Sequence, residues 1–218
     1  MNEEDKEKIL RSILFPLLFV ALLWFIKLTE IGFGLNFTRF GLYPRAYEGL
    51  IGIIASPLIH GSFNHLLSNS IPLLVLGSIT YYFYRPLAFT VFFWVYLMSG
   101  LWVWAAGREA YHIGASGLVY GFVTFLFFSG IFRRSKQLLV LSLLVTFLYG
   151  SLIWGIFPIY PEISWESHLL GSLAGIITAW YYRSEGPQPS KFEWEKEADD
   201  GKDNGYWKDE SGNTTYPV

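Results

Sequence analysis

The sequence predicts an all-α polytopic membrane protein built as a bundle of six transmembrane helices. Hydrophobic residues make up 52% of its 218 residues and charged residues only 16%, whereas soluble domains carry about 25% charged residues. The apolar residues also form long blocks, since residues 87–106 and 138–157 each run for twenty residues without a charge. A bilayer core requires about 20 apolar residues in a helix, so both blocks are predicted to span a membrane.

Six segments have this character, and the chain between them is more polar. They are residues 9–28, 65–84, 87–106, 114–132, 138–157 and 166–183. Residues 46–59 are apolar but too short to span, so we expect the outer loop 29–64 to lie partly in the interface or to re-enter the bilayer.

The segments on either side of the six-span domain, residues 9–183, are polar. Residues 1–8 form a short N-terminus. Residues 184–218 are rich in Gly, Pro, Ser, Asp, Glu and Lys, a composition that predicts a flexible, solvated acidic tail.

The distribution of Lys and Arg predicts that both termini are cytoplasmic, because cytoplasmic loops of membrane proteins are enriched in these residues. This orientation places eight basic residues inside: Lys6, Lys8, Arg11, Arg85, Arg133, Arg134, Lys136 and Arg183. It leaves four outside: Lys27, Arg39, Arg45 and Arg108. We expect a multi-pass protein of the cell inner (plasma) membrane.

The chain has no cysteine, which excludes disulfides and thiolate chemistry.

The four histidines all fall at the outward-facing ends of spans in this topology. His60 and His65 precede or open the second span, His112 precedes the fourth, and His168 opens the sixth. Ser116 lies at the outer start of the fourth span. Ionisable groups within spans are costly and therefore indicate functional sites.

Ser116 has both a structural and a catalytic interpretation. Gly114 and Gly117 flank it, and Gly117 with Gly121 forms a small-xxx-small pair, a spacing typical of close helix packing. Gly171 and Gly175 follow His168 on one helical face. If the two glycine-bearing helices meet, Ser116 and His168 come together, and a neutral imidazole within hydrogen-bond reach is what makes a serine nucleophilic.

Three further residues lie near Ser116 and His168 in the sequence. Tyr120 lies four residues after Ser116, on the same face, where its ring could hold the imidazole. Glu166 points elsewhere on its helix and is not expected to orient His168. We assign no role to His112.

A second polar cluster occurs at the start of the second span. His65 and Asn69 are four residues apart and share a helix face. They either form an interhelical hydrogen bond or donate, with the Ser116 backbone amide, to the oxyanion of a tetrahedral intermediate. The spacing of His60 and His65 does not match the HExxH pattern of zinc proteases. Convergence of three histidines from different helices on a metal ion is the alternative, and we expect no metal and no cofactor.

Three motifs together resemble the rhomboid family of intramembrane serine proteases. GASG at 114–117, followed by Tyr120, resembles the nucleophile motif GxSG. HLLGSLAG at 168–175 resembles the HxxGxxxG motif of the last span, and HGSFNHLLSN at 60–69 resembles HxxxxHxxxN of the second. The resemblance covers residues 9–183, and the motifs occur in the family's order.

The resemblance implies a minimal six-span bacterial type with its serine at the base of a water-filled cavity open to the extracytoplasmic side. It implies cleavage of single-span or polytopic membrane proteins within the lipid bilayer, near the outer ends of their transmembrane segments, without metal, cofactor or nucleic acid. It makes Ser116 the nucleophile, His168 the general base, and His65 and Asn69 oxyanion donors. Supporting roles fall to Gly114, Gly117, Tyr120, Gly171, Gly175 and His60.

One feature departs from the family pattern. Many members carry a Trp-Arg pair in the first outer loop, but residues 29–64 contain no tryptophan, and YPRAYEG at 43–49 takes part of that place.

Two alternative functions are a catalytically inactive rhomboid-like protein that binds membrane clients and a small transporter or channel. A transporter predicts midplane polar residues and an inverted repeat, and the sequence has neither.

Overall fold

The computed structural model is helical, and two of its helices begin at serine caps. The structure describes residues 3–160 and 162–187, together with residues 207–208 and 214–215. The described residues form seven α-helices: α1 (Glu3–Gly32), α2 (Gly52–Ala55), α3 (Phe63–Phe83), α4 (Ala88–Ala106), α5 (Ser116–Arg133), α6 (Lys136–Tyr149) and α7 (Trp165–Tyr181). Shorter 3₁₀ segments cover Thr38–Phe40, Glu48–Ile51, Ser56–Leu58 and Gly150–Ile156.

Serine caps explain why two helices start earlier than their apolar blocks do. The Ser62 hydroxyl accepts a hydrogen bond from the His65 backbone amide at 3.1 Å, so α3 begins at residue 63. Ser135 caps α6 in the same way through the Leu138 amide. Such caps satisfy amides that have no partner within the helix.

The polytopic helical architecture predicted from the sequence is confirmed. In the described residues, five segments are long and apolar enough to cross a membrane: Glu3–Gly32, Phe63–Phe83, Ala88–Ala106, Ser116–Arg133 and Lys136–Ile156. The sixth predicted span corresponds to α7, which has 17 residues. The chain is therefore a multi-pass membrane protein.

The fifth predicted span is interrupted. Residues 138–157 are predicted as one helix, but α6 ends at Tyr149 and the chain continues as the 3₁₀ segment Gly150–Ile156. Glycines at 150 and 155 and a proline at 158 weaken the helix over this stretch. The interruption places backbone carbonyls of this segment beside α5 and α7.

The helix α5 is the centre of the bundle. It packs against α3, α4, α6 and α7, and 61% of its most apolar stretch is buried, against 22% in α1 and 17% in Lys136–Ile156. The buried apolar core includes Leu66, Val95, Leu118, Phe125 and Ala174, one or more from each of α3, α4, α5 and α7. The first residues of α5 and α7 consequently lie at the same end of the bundle.

A buried ion pair fixes the C-terminal end of α1. Lys27 Nζ lies 2.7 Å from Glu30 Oε2, and both side chains are about nine-tenths buried. Lys27 also donates to the Gly61 carbonyl at 3.3 Å, and Glu30 accepts a hydrogen bond from the Phe37 amide at 2.9 Å. The pair therefore joins α1 to both ends of the loop 29–64, which contains the short helical segments Thr38–Phe40, Glu48–Ile51, Gly52–Ala55 and Ser56–Leu58. The interfacial position of part of this loop stays a prediction.

The predicted flexible tail, residues 184–218, lies mostly outside the described residues. Within it the structure describes two short strands, β1 (Trp207–Lys208) and β2 (Thr214–Thr215), which pair antiparallel with Trp207 opposite Thr215. They belong to a separate unit of the chain.

The other end of the bundle is fixed by a buried arginine. Arg133, the last residue of α5, is only 4% exposed. Its guanidinium donates to the carbonyl oxygens of Tyr182, Arg183 and Glu185, which follow α7, at 2.5 to 2.7 Å. Its Nε donates to Ser129. One cation therefore joins the end of α5 to the chain that directly follows α7, where the helix dipole also favours a positive charge.

We expect Arg133→Met to lower the free energy of unfolding by about 3 kcal/mol, because it removes three hydrogen bonds made by a buried charged group. Arg134→Met is the matched control, since Arg134 is exposed. Thermal unfolding of the purified variants in one detergent measures the difference. Equal midpoints for the two variants would contradict the role given to Arg133.

Candidate active site

Ser116 and His168 lie within hydrogen-bond distance of each other. Ser116 is the first residue of α5, and His168 lies in the first turn of α7. His168 Nε2 is 2.8 Å from Ser116 Oγ, and the histidine is 8% exposed. The two residues are 52 positions apart in sequence, so the packing of α5 against α7 brings them together.

The other ring nitrogen of His168 determines which tautomer is present. Nδ1 lies 2.9 Å from the Gly155 carbonyl oxygen. A carbonyl can only accept a hydrogen bond, so Nδ1 carries the proton and donates. Nε2 is left with a lone pair facing the Ser116 hydroxyl, which is the arrangement a general base requires.

Tyr120 packs against one face of the same imidazole. Its ring stacks on His168 with centroids 4.2 Å apart and planes 9° from parallel. Its hydroxyl donates to the Leu152 carbonyl at 2.7 Å. Leu152 and Gly155 both belong to the 3₁₀ segment Gly150–Ile156, so this segment fixes the imidazole from two directions.

Sequence reasoning missed the contribution of Gly155. The contact is made by a backbone carbonyl, and every residue has one, so residue type gives no signal. A glycine is nevertheless required there, because a Cβ at Gly155 would lie 2.0 Å from the Tyr120 hydroxyl oxygen and 3.0 Å from His168 Nδ1. The sequence signal that could have indicated this segment is the pair Gly150 and Gly155 within an otherwise apolar span.

Glu166 does not contact His168. Its Oε1 lies 3.5 Å from Arg108 Nε and accepts a long hydrogen bond from the Arg108 amide. Glu166 is nonetheless buried, at 4% exposed. Within the described residues, the partner that orients His168 is the Gly155 carbonyl and not a carboxylate.

Glycines allow α5 and α7 to approach closely. A Cβ at Gly171 would lie 2.2 Å from the Gly117 carbonyl oxygen, and one at Gly175 would lie 2.2 Å from the Gly121 carbonyl oxygen. Gly117 faces the Ser167 carbonyl, and a Cβ at Gly117 would lie 3.2 Å from that carbonyl oxygen. No larger residue fits at 171 or 175 without separating the helices, which agrees with the packing role of small residues in membranes.

Gly114 is required both by its backbone conformation and by its surroundings. Its φ is +107°, a region that residues with side chains rarely adopt. A Cβ there would lie 2.6 Å from His65 Nε2 and 3.7 Å from Asn69 Nδ2. The absence of a side chain therefore places His65 and Asn69 directly beside the turn that precedes Ser116.

His60 forms a hydrogen bond with this turn. Its Nε2 accepts a hydrogen bond from the Ala115 amide at 3.4 Å, and its ring lies edge-on to His65 with centroids 5.1 Å apart. Burial lowers the pKa of His60 to about 3, so the imidazole is neutral and able to accept. His60 thereby joins the turn before Ser116 to the start of α3.

Asn69 is buried, and part of its hydrogen-bonding capacity is directed at its own helix. It is 4% exposed, and its Nδ2 donates to the His65 carbonyl at 3.1 Å. An amide nitrogen carries two protons, so a second donor remains for a bound group.

One cavity of about 590 Å³ connects these residues. Ser116, His168, His65, Asn69 and Tyr120 all line it. In residues 3–160 and 162–187, no three His, Asp or Glu side chains are grouped as metal ligands would be. The arrangement is a serine, a base held in one tautomer, and side-chain donors around a shared volume.

His112, to which the sequence assigned no role, joins three elements near the site. Its backbone pairs with Leu42 of the first outer loop. Its Nε2 donates to the Arg108 carbonyl at 3.1 Å, and Nδ1 therefore accepts from the Ser164 hydroxyl at 2.6 Å. Ser164 in turn contacts Ser167 at 2.7 Å. Burial lowers the pKa of His112, which keeps the ring neutral.

The loop 29–64 is attached to the C-terminal end of α4. Arg45 Nη1 donates to the Gly107 carbonyl at 2.7 Å, and its amide donates to the Trp104 carbonyl at 2.9 Å. Trp104 Nε1 donates to the Ala46 carbonyl at 2.9 Å. Residues 29–64, which contain no tryptophan, are thus joined to α4 by an arginine of their own and by a tryptophan of α4.

Comparison with known proteins agrees with this architecture. The family model of the Rhomboid domain matches residues 47–185. Proteins of Mycobacterium tuberculosis and Mycobacterium bovis are each 36% identical over 178 residues, covering 75% of this chain and 72% of theirs. A Mycobacterium leprae protein is 30% identical over 174 residues, covering 75% and 68%. All three carry the description "uncharacterized protein".

We expect Gly171→Ala to disrupt the site, because the added methyl group meets the Gly117 carbonyl and must push α7 away from α5. The Ser116–His168 distance should increase, and labelling of Ser116 by a fluorophosphonate should slow at least about tenfold. Gly150→Ala is the matched control, since its methyl group would meet only ordinary contact at 3.8 Å. Equal labelling rates for the two variants would contradict the proposed constraint.

Proposed function

The chain belongs to the rhomboid family, and on this premise we propose that it is an intramembrane serine endopeptidase. It cleaves the transmembrane segments of other membrane proteins near the outer membrane face, using a Ser116–His168 dyad. The observation that carries the proposal is the 2.8 Å contact between Ser116 Oγ and His168 Nε2, with Nδ1 bonded to the Gly155 carbonyl.

In the acylation step, Ser116 Oγ attacks the carbonyl carbon of the scissile peptide while its proton passes to His168 Nε2. The resulting tetrahedral intermediate carries a negative oxygen. As the C–N bond breaks, His168 returns the proton to the leaving amine, and Ser116 remains as an ester. A water molecule, deprotonated by the same nitrogen, then hydrolyses the ester and restores both residues.

The imidazolium formed in this step needs stabilisation, and the site supplies it without a carboxylate. The Gly155 carbonyl accepts from Nδ1–H in both protonation states, and its dipole favours the charged ring. The stacked face of Tyr120 adds a cation–π contribution at a centroid distance of 4.2 Å. A dyad of this type needs no third ionisable residue.

His65, Asn69 and the Ser116 amide are the proposed donors to the oxyanion. Both side chains line the cavity that contains Ser116, and Gly114 removes the atom that would separate them from the turn. Donors held in place before the reaction stabilise the developing charge without reorganisation. Gly114, Gly117, Gly171, Gly175, Tyr120 and His60 position these groups.

The proposed orientation has both termini in the cytoplasm of a cell whose inner membrane holds the protein. The outer ends of α3, α5 and α7 then carry the active-site cavity, which opens to the extracytoplasmic side. This orientation follows the distribution of basic residues, which favours the end occupied by Arg85, Arg133 and Arg134. Substrates would present their outer transmembrane ends to Ser116.

A catalytically inactive rhomboid-like protein that binds membrane clients is the alternative. Client binding requires the bundle and the cavity, but it requires neither a serine hydroxyl facing an unprotonated imidazole nitrogen nor a carbonyl that fixes the tautomer. The geometry therefore favours catalysis over binding alone.

We expect Ser116→Ala and His168→Ala each to abolish cleavage of a single-span reporter, because each removes one partner of the proton transfer. Ser184→Ala, an exposed serine at the other end of the bundle, is the control and should cleave normally. Gel analysis of the reporter in proteoliposomes measures the effect. Folding is checked by thermal unfolding, and fluorophosphonate should label wild type but not Ser116→Ala.

Two results would reject this proposal. One is cleavage by either dyad variant at the wild-type rate. The other is fluorophosphonate labelling that persists when Ser116 is replaced, which would place the reactive serine elsewhere.

We expect Asn69→Ala to reduce kcat by about 100-fold, the typical cost of removing one oxyanion donor. Labelling by fluorophosphonate should continue at a reduced rate, because Ser116 and His168 remain in place. Asn64→Ala is the matched control, since Asn64 is an exposed residue of the same helix. If Asn69→Ala turns over like Asn64→Ala, Asn69 has no oxyanion role.

A further inference from the structure

We propose that the bundle binds an anionic phospholipid in a cleft between α1 and the α3–α4 turn, at the end opposite Ser116. The site is separate from the proposed active site and does not depend on its chemistry. The ligand class is a lipid with a phosphodiester headgroup of net negative charge, such as phosphatidylglycerol.

The cleft forms where the start of α1 meets the end of α3. Lys8 Nζ lies 4.2 Å above the Tyr82 ring, which brings the first turns of α1 beside the turn that leads to Arg85 and Phe89. The cavity between these elements measures about 460 Å³. Because α5 runs from Ser116 to Arg133, and Arg133 packs over Tyr84 at the end of α3, this cavity lies at the other end of the bundle from the serine.

The polar part of the cleft carries an excess of positive charge. Lys8, Arg11 and Arg85 all line it, and no Asp or Glu of the described residues does so. Arg11 pairs with the exposed Glu7 through one nitrogen. Arg85 makes no hydrogen bond or ion pair with any residue that the structure describes, so its donors are available to an anion.

The remaining lining of the cleft is apolar and continues along the side of the bundle. Leu14, Leu18 and Phe89 line the cleft and are 54%, 59% and 50% exposed. Arg11 and Leu18 lie seven residues apart on α1, about 10 Å along the helix axis. A phosphate bound near Arg11 and Arg85 would therefore direct its acyl chains along this apolar surface, toward the membrane interior.

Tyr81 provides an independent indication of a polar ligand. It lines the same cavity and is only 6% exposed. Its hydroxyl is buried without a hydrogen-bond partner among the described residues. A buried hydroxyl without a partner is unfavourable, and a phosphate or ester oxygen of the lipid would accept its hydrogen bond.

The general enrichment of basic residues in cytoplasmic loops does not explain this arrangement. That enrichment accounts for the presence of cations at this end of the bundle, and Arg134 is one of them. It does not predict that three cations, an unpartnered buried hydroxyl and an exposed apolar surface share one cleft. Free inorganic phosphate would use the cations alone, whereas a lipid would use all three features.

The test compares lipid binding by the full chain in a neutral detergent. Native mass spectrometry would measure the occupancy of phosphatidylglycerol, of phosphatidylcholine with the same acyl chains, and of inorganic phosphate. The variants are Arg11→Gln, Arg85→Gln and Tyr81→Phe, with Arg134→Gln as the matched control. Thermal unfolding of each variant without added lipid checks that it is folded.

We expect wild type to prefer phosphatidylglycerol. Arg11→Gln and Arg85→Gln should each weaken its binding about fivefold, the equivalent of roughly 1 kcal/mol per basic residue at an anionic lipid surface. Tyr81→Phe should weaken it less, and Arg134→Gln should leave it unchanged. Equal binding of both lipids, inorganic phosphate that displaces phosphatidylglycerol completely, or an equal loss in Arg134→Gln would each overturn the proposal.

Discussion

The contact between the backbones of α5 and α7 is the constraint on which the site depends. Gly171 meets the Gly117 carbonyl and Gly175 meets the Gly121 carbonyl, with no space for a Cβ at 171 or 175. Lipid provides no hydrophobic force between helices, so their separation is set by how closely the surfaces fit. Ser116 and His168 each lie within one turn of the first contact, and their 2.8 Å separation follows from it.

The interruption of the fifth span helps to position His168 beside Ser116. Non-helical backbone within a membrane is tolerated only where its polar groups find partners or line a cavity. In the segment Gly150–Ile156, the Leu152 carbonyl accepts from Tyr120 and the Gly155 carbonyl accepts from His168. The hydrogen bonds that satisfy the carbonyls of the interrupted helix therefore also hold the His168 imidazole in place.

The sequence predicts the helical class, the spans and the residues that meet in the cavity, because composition, block length and side-chain chemistry are all visible in it. Glycine spacing likewise indicates which helices approach. The roles of Gly155 and Leu152 are not predictable, because they act through backbone carbonyls. His112 and Trp104 are missed for another reason: their partners, Ser164 and Ala46, lie more than fifty residues away, and no local pattern reports such contacts.

The position of α7 is set at three levels rather than by the Ser116–His168 bond itself. Near its start, His112 contacts Ser164, and Arg108 donates to the Ile163 carbonyl at 2.7 Å. The glycine contacts hold its middle, and Arg133 binds the carbonyls that follow its end. One hydrogen bond contributes only about 1 kcal/mol, too little to hold two helices in register. The position of the helix pair therefore does not depend on the Ser116–His168 bond, and an imidazole that need not move to meet the serine suits general-base catalysis.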